Sequence, residues 1–250
     1  MHNGAIMPTD VRCLVKSDDP SGLVELVGVL DLSATGTLRG ALLTCLADRG
    51  DNVVVDVSGL RVEEPAALAV FRAVAAEAGQ WPAGRIVLRV TPEASDTAWE
   101  KAGVPVARSL PDAFARLAAP GSATGLRADL EPIVGAARRA RDLVTEGCGR
   151  WDLPAVAGSA CIAATEMVNN VVAHAHTSMT VRLAARGGAL HLSVRDWSRA
   201  LPSFGGPVAP SSTGGRGLLL IDTVARRWGT TPLDDGKVVW AVLHPDDEPG

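Results

Sequence analysis

Tyrosine is absent from this 250-residue chain, phenylalanine occurs three times and tryptophan six, and aromatics make up only 4% of it. With 47% of residues hydrophobic, the core must therefore be aliphatic, built from Ala, Val and Leu. Cysteine is sparse: Cys13, Cys45, Cys148 and Cys161 are widely spaced and form no C-x-x-C. That spacing favours buried small hydrophobes over a disulfide or zinc framework. A basic excess is also missing. The 24 Lys and Arg against 28 Asp and Glu leave a net charge of −4, which argues against a nucleic-acid groove. No unbroken run approaches the ~18 apolar residues of a membrane span, and the opening MHNGAIMPTD lacks a signal-peptide layout. The expectation is a cytoplasmic protein with no nucleic-acid and no membrane partner. Its 21% of charged residues excludes a mainly disordered chain, and its length suits two domains.

The clearest break is the small, turn-prone stretch Ala118-Ala-Pro-Gly-Ser-Ala-Thr-Gly125. It predicts domains over 10–118 and 126–246 with a linker at 119–125. Before the break, strands and helices alternate. Leu23–Leu30, Asn52–Val57 and Arg85–Val90 read as strands. Leu38, Ala41, Leu42, Cys45 and Leu46 recur at helical spacing, and Pro65 suits the first position of a second helix. Shorter helices are expected at 93–101 and 111–117. The alternation implies an α/β fold, a sheet with parallel elements covered by helices. After the break the order is two helices (132–146 and 154–175), a hairpin of Met179–Ala185 and Ala189–Arg195, and a long loop (198–215). A helix (216–228) and a final strand, Lys237–Leu243, follow. That order describes an α/β sandwich with helices on one face.

Within the second half, Glu166, Asn170 and His174 fall at i, i+4 and i+8 of one helix and form a polar stripe. Ala164, Val168, Val171, Val172 and Ala175 lie on the opposite, core-directed face. Alone, such a stripe reads most simply as an exposed edge. Downstream, however, Asp196 ends a strand, and a glycine-rich segment, Thr213-Gly-Gly-Arg-Gly-Leu218, opens a helix. A carboxylate at a strand end can accept from an adenine amino group. Backbone amides at a helix N-terminus can cradle phosphate, because their N–H groups are unpaired there. An Asn side-chain oxygen suits Mg²⁺, and Glu166, one turn earlier, could act as general base.

These blocks resemble a known family. TEMVNNVVAHAH is similar to the N box, VRDWSRALP to the G1 region, and GGRGLLLIDTVARRWGTTPLDDGKVVWAVL to the G2 region, of anti-sigma-factor serine/threonine kinase-like ATPases of the Bergerat fold. The resemblance spans about Leu126 to Leu243. It implies ATP and Mg²⁺ as cofactors, with Asn170 holding the metal, Glu166 activating an acceptor hydroxyl and Asp196 binding adenine. Gly214, Gly215, Arg216 and Gly217 would border the phosphates. His174 stands where the family has a His closing the N-box helix, either reaching a phosphate or ending the helix. A metal site from His174 and His176 is discounted, since i, i+2 side chains on a helix do not converge. Two departures bear on nucleotide binding. The family's Gly-x-Gly after the adenine Asp is Trp197-Ser198-Arg199 here. Val238 stands where a Thr hydroxyl is expected to help hold adenine.

Residues from about Val11 to Leu117 resemble STAS domains, the fold of anti-sigma-factor antagonists, on GVLDLSATGTLRGAL and VVVDVSGLRVEEPAALAVF. Asp56-Val-Ser-Gly59 is intact, but Glu64-Pro65-Ala66-Ala67 carries no hydroxyl at the antagonist's phosphorylation position. The combined expectation is a STAS-like domain fused to a kinase-like ATPase. Such a protein would phosphorylate Ser or Thr of a separate STAS antagonist in a partner-switching pathway that controls a sigma factor. One alternative is a non-catalytic interaction module that binds a sigma factor or STAS partner. Another is a scaffold whose STAS half senses a small ligand. A homodimer is compatible with the resemblance.

Overall fold

A computed structural model describes residues 13–16, 22–49, 53–82, 84–91, 99–118, 125–201 and 216–247. The chain divides into two compact units, one of 1–79 with 83–122 and the other of 80–82 with 123–250.

The first unit is a five-stranded sheet in the order β1-β2-β3-β4-β5: Cys13–Lys16, Leu23–Leu30, Val53–Val62, Ile86–Arg89 and Val106–Ala107. β1 runs antiparallel to β2, and the other pairs are parallel. Helices α1 (Thr35–Arg49), α2 (Ala69–Ala78) and α3 (Leu110–Ala118) complete it. Val53, Val54, Val55 and Val57 are all buried, the continuous apolar run of a strand covered on both faces. The turn into α1 is built by Asp31, whose Oδ1 accepts from the Ala34 N–H at 3.0 Å and the Ser33 hydroxyl at 2.6 Å. β3 runs on to Val62 instead of stopping at Val57. The β2–β3 register shifts between Glu25 and Val27, where β3 carries one extra residue between Asp56 and Gly59. Gly59 fits because a Cβ there would lie 3.2 Å from the Leu26 carbonyl oxygen. Asp56 supports this bend, accepting the Ser58 N–H at 2.9 Å and a forked pair from Arg89 at 3.1 Å. Of the helix expected at 93–101, residues 93–98 lie outside the described residues, and a 3₁₀ turn occupies Glu100–Ala102.

The second unit is a fully antiparallel sheet in the order β6-β7-β8-β10-β9: Leu126–Leu130, Met179–Arg186, Ala189–Asp196, Gly236–Leu243 and Arg227–Leu233. Gly187 and Gly188, both at positive φ, close the expected hairpin between β7 and β8. Helices α4 (Ala136–Arg150), α5 (Ala157–Asn170) and α6 (Arg216–Val224) pack into one core with Val181, Leu183, Leu192, Val194, Val239 and Ala241 of the sheet. The mixed α/β architecture expected from the sequence is present in both units.

Two boundaries differ from expectation. α4 begins after Gly135, whose φ of 100° no helix accepts, and runs on to Arg150 past Gly147, against which the Trp151 ring packs. α6 ends at Val224, not 228, and Arg227–Leu233 is a strand pairing with β10. Pro232 is tolerated there because β9 is an edge strand. The stretch Pro154–Ala175, with mean hydropathy 1.2 over its best window, is long and apolar enough to cross a membrane even though it holds no unbroken apolar run. Its apolar face, Ala160, Ala163, Ala164, Met167, Val168 and Val171, is buried in the sheet core.

Candidate functional site

The residues expected to act together lie on α5, α6 and the ends of β8 and β10. On α5, the core face spaced at i, i+3, i+4, i+7 and i+8 fixes the helix roll, which leaves Glu166 and Asn170 half-buried beside α6. Gly217, in the first turn of α6, faces both of them. A Cβ at position 217 would stand 2.7 Å from Glu166 Oε2 and 3.6 Å from Asn170 Oδ1. Helix α6 is seated by Leu218, Ile221 and Val224, all buried in the same core. Its first turn, where backbone N–H groups have no partner within the helix itself, therefore stands next to the carboxylate and the amide.

The polar stripe does not continue as a regular α-helix. Val171–Ala175 forms a π turn in which the His176 N–H bonds the Val171 carbonyl at 2.8 Å, and His176 then adopts φ 56°. This breaks the i, i+4 progression between Asn170 and His174. His174 is exposed on that turn, and no hydrogen bond joins it to Glu166, Asn170 or Asp196 among the described residues. Gly214 and Gly215 lie outside the described residues. Arg216 is the first residue of α6.

Asp196 ends β8 and is 1% exposed. Its Oδ1 accepts from Lys237 Nζ at 2.9 Å and from the Ser198 N–H at 2.8 Å. Its Oδ2 is buried and has no hydrogen-bond partner among the described residues. A buried carboxylate oxygen without a donor is costly, so this atom is where a ligand's N–H would be accepted. Lys237 is itself buried and also donates to the Ser198 carbonyl at 3.1 Å. It sits directly opposite Asp196 in the β8–β10 register. Neighbouring Arg195, also buried, donates a forked pair to Asp235 at 2.8 and 2.9 Å, and its guanidinium lies 4.4 Å from the Trp197 ring centroid.

Register corrects one expectation. Val194 and Val239 point into the helix-side core, so their strand neighbours Arg195 and Val238 point to the other face of the sheet. Val238 is therefore on the wrong face to stand in for an adenine-holding hydroxyl. The residue of that strand on the Asp196 face is Lys237. The Trp197-Ser198-Arg199 departure is also structurally mild. None of the three has a positive φ, and the Ser198 N–H to Asp196 bond makes the turn that glycines would otherwise allow. Lys237 was not singled out in the sequence, because a lone Lys in an apolar strand acquires meaning only once its cross-strand partner is known.

An adenine nucleotide with Mg²⁺ fits these residues. Among the described residues the Asp196 Oδ2 lacks a donor of the kind an exocyclic amine supplies, and the absence of a side chain at Gly217 lets the first turn of α6 pack directly against the Glu166 carboxylate and close to the Asn170 amide oxygen.

Two family descriptions match the chain. "Histidine kinase-like ATPase domain" matches residues 130–243, and "Mlab, STAS domain" matches residues 13–105. No curated protein matches the chain significantly. Among solved structures, the RsbU and RsbW domains of Rv1364c from Mycobacterium tuberculosis are similar at 18% identity and a TM-score of 0.37 over 49% of this chain and 32% of that one. The histidine kinase domain of the blue-light activated histidine kinase EL346 from Erythrobacter litoralis is similar at 15% identity and a TM-score of 0.31. That match covers 44% of this chain and 61% of that one. The chain thus matches about a third of the length of the first structure and three-fifths of the second.

Proposed function

We propose, from the match of residues 13–105 to a STAS domain and of residues 130–243 to a histidine kinase-like ATPase domain, that the chain is a Mg²⁺-ATP-dependent regulator of the anti-sigma-factor kinase type. Its reaction is phosphorylation of a Ser or Thr on a separate STAS antagonist, in the cytoplasm, within a circuit that controls a sigma factor. The observation that carries this reading is the approach of Gly217 to Glu166 and Asn170, which sets the first turn of a helix against a carboxylate and an amide. ATP with Mg²⁺ supplies the transferable phosphoryl group there. Asn170 would offer its side-chain oxygen to the metal, and backbone N–H groups at the start of α6, where Gly217 lies in the first turn, would take the phosphates. Asp196 accepts from the adenine amino group through Oδ2. Glu166 takes the proton of the acceptor hydroxyl as that oxygen bonds the γ-phosphorus and the bond to the departing ADP breaks.

The first domain is not the substrate at the position used by antagonists. Glu64, Pro65 and Ala66 are exposed at the start of a 3₁₀ turn, the right kind of place for modification, but none bears a hydroxyl. The acceptor therefore belongs to another protein, and the first domain is assigned to docking or regulation.

Two measurements test the proposal. Mg²⁺-ATP at 100 times its dissociation constant adds about 2.7 kcal/mol to the domain that binds it, a shift of several degrees in its unfolding. That shift is expected in the wild type, to require Mg²⁺, and to vanish in Asn170→Ala. Glu166→Ala is expected to keep the shift while losing roughly 10²–10⁴ in γ-phosphate transfer to a STAS protein. No shift at millimolar nucleotide overturns the ATP assignment. Tight binding of a STAS or sigma-factor partner without transfer overturns the kinase assignment and leaves an interaction module.

A further inference from the structure

The buried cluster at the ends of β8 and β10 contains a charged residue that the reading above does not use. Lys237 Nζ is 2.9 Å from Asp196 Oδ1, and the pair is almost completely removed from solvent, with side chains 8% and 1% exposed. The Ser198 N–H occupies the same Oδ1, so every donor found on Asp196 among the described residues goes to one oxygen, and Oδ2 is left with none. We propose that Lys237 is a specificity-positioning residue, which together with the Ser198 N–H fixes the rotation of the Asp196 carboxylate so that Oδ2 is presented to the purine 6-position, and the site takes a 6-amino purine and rejects a 6-oxo purine. The proposal rests on the reading of this domain as a nucleotide site.

A carboxylate accepts hydrogen bonds and does not donate them. Lys237 is in contact with Asp196 through Oδ1, while the Arg195 guanidinium engages Asp235 and the Asp196 backbone carbonyl, at 2.9 Å. The Lys237 and Ser198 donors converge on Oδ1 and so fix the carboxyl's rotation. With that rotation fixed, the identity of the atom at the Oδ2 position decides what the site accepts. An amino group at the purine 6-position completes Oδ2; a carbonyl there meets a second acceptor and leaves both unpaired.

The test is competition of ATP and ITP, each with Mg²⁺, against a fluorescent ATP analogue on the full chain. The wild type is expected to prefer ATP by at least about tenfold. Lys237→Met is expected to bring the ratio within about threefold, because a carboxylate held by the Ser198 N–H alone can rotate and no longer fixes which oxygen meets the 6-position. Lys237→Gln, whose shorter side chain does not carry its donor as far as the ammonium, should give the same collapse. Asp196→Asn, with Lys237 and Ser198 holding the amide oxygen, puts an NH₂ where Oδ2 was and should invert the preference toward ITP. Circular dichroism and unfolding without nucleotide confirm that each variant is folded. A wild-type ratio retained in both Lys237 variants overturns the proposal, as does a wild type that binds ATP and ITP alike. Failure of the wild type to bind either nucleotide overturns the ATP assignment itself.

Discussion

Replacing Gly217 by Ala adds one methyl group at the narrowest point of the site, and the structure sets what it does. The new Cβ would lie 2.7 Å from Glu166 Oε2, closer than folded proteins sustain, but 3.6 Å from Asn170 Oδ1, an ordinary contact. Relief is available because the crowded atom is the far end of a flexible side chain: the carboxylate must retreat by about 0.7 Å to reach the 3.4 Å of normal packing. Folding should not suffer. Position 217 lies in the first turn of α6, where Ala in place of Gly favours a helix by up to about 1 kcal/mol. Displacing a general base by this much costs on the order of 10² in rate, since catalysis depends on near-attack geometry. The expected result is an unfolding temperature equal to or above the wild type, Mg²⁺-ATP affinity within about threefold, and phosphate transfer down roughly a hundredfold. Thermal unfolding, nucleotide competition and γ-phosphate transfer to a STAS protein read the three quantities. Full transfer activity in a folded Gly217→Ala protein would refute the placement of Glu166 beside the reacting group.

Gly236→Ala makes the contrasting case. Its Cβ would fall 2.1 Å from the Asp196 carbonyl oxygen and 2.8 Å from the Trp197 Cα, backbone atoms that cannot step aside. This variant should lose well over about 2 kcal/mol of stability together with nucleotide binding, in a combined denaturation and binding assay. The thiol of Cys148 is pushed up to about 11 by burial, with a smaller contribution from Cys161. It should resist a thiol-modifying disulfide reagent at pH 8 in the native protein and react at once in denaturant; rapid native modification at Cys148, mapped by mass spectrometry, would contradict its burial. For Asp129, burial alone raises the carboxyl, but hydrogen bonds from Thr180 and Arg127 and the nearby arginine charges outweigh it, holding it below its usual 3.8. A carboxyl lowered by folding stabilises the native state above its unfolded value and loses that contribution as pH falls through the folded one. Asp129→Asn should therefore be less stable than the wild type at pH 7, with the difference shrinking below about pH 4; a gap that widens in acid would reverse the assignment.

The elements that the sequence revealed and those it hid divide on a physical line. Six strands are legible from β-branched, apolar runs, and all six are interior to their sheets. They are β2, β3 and β4 in the first unit, and β7, β8 and β10 in the second. The four strands that were not foreseen, β1, β5, β6 and β9, are the four sheet edges. An interior strand buries side chains against neighbours on both sides and needs the residues that pack there. An edge strand has one partner and can carry polar residues, Gly or Pro. Arg227–Leu233, with its Gly229 and Pro232, was accordingly read as the end of a helix and a loop.

The candidate site divides in the same way. The placement of Glu166 and Asn170 on one helix face follows from spacing alone, because 3.6 residues per turn leaves no other choice once the apolar face is known. Asp196 at a strand end and a glycine at the mouth of α6 were likewise visible as local patterns. Contacts between elements were not. The π turn that breaks the stripe before His174 has no period to announce it. The approach of Gly217 to Glu166 depends on how two helices pack. The meaning of Lys237 and Val238 depends on register, and a one-residue slip exchanges the faces of a strand. The sequence by itself determined the two-part organisation, the interior strands and which side chains share a helix face, since these follow from local periodicity and composition. Only the tertiary structure decided that Lys237 lies on Asp196, that Val238 looks away from it and that one carboxylate oxygen has no donor among the described residues. Those facts are set by pairing between strands 41 residues apart, which no local pattern encodes.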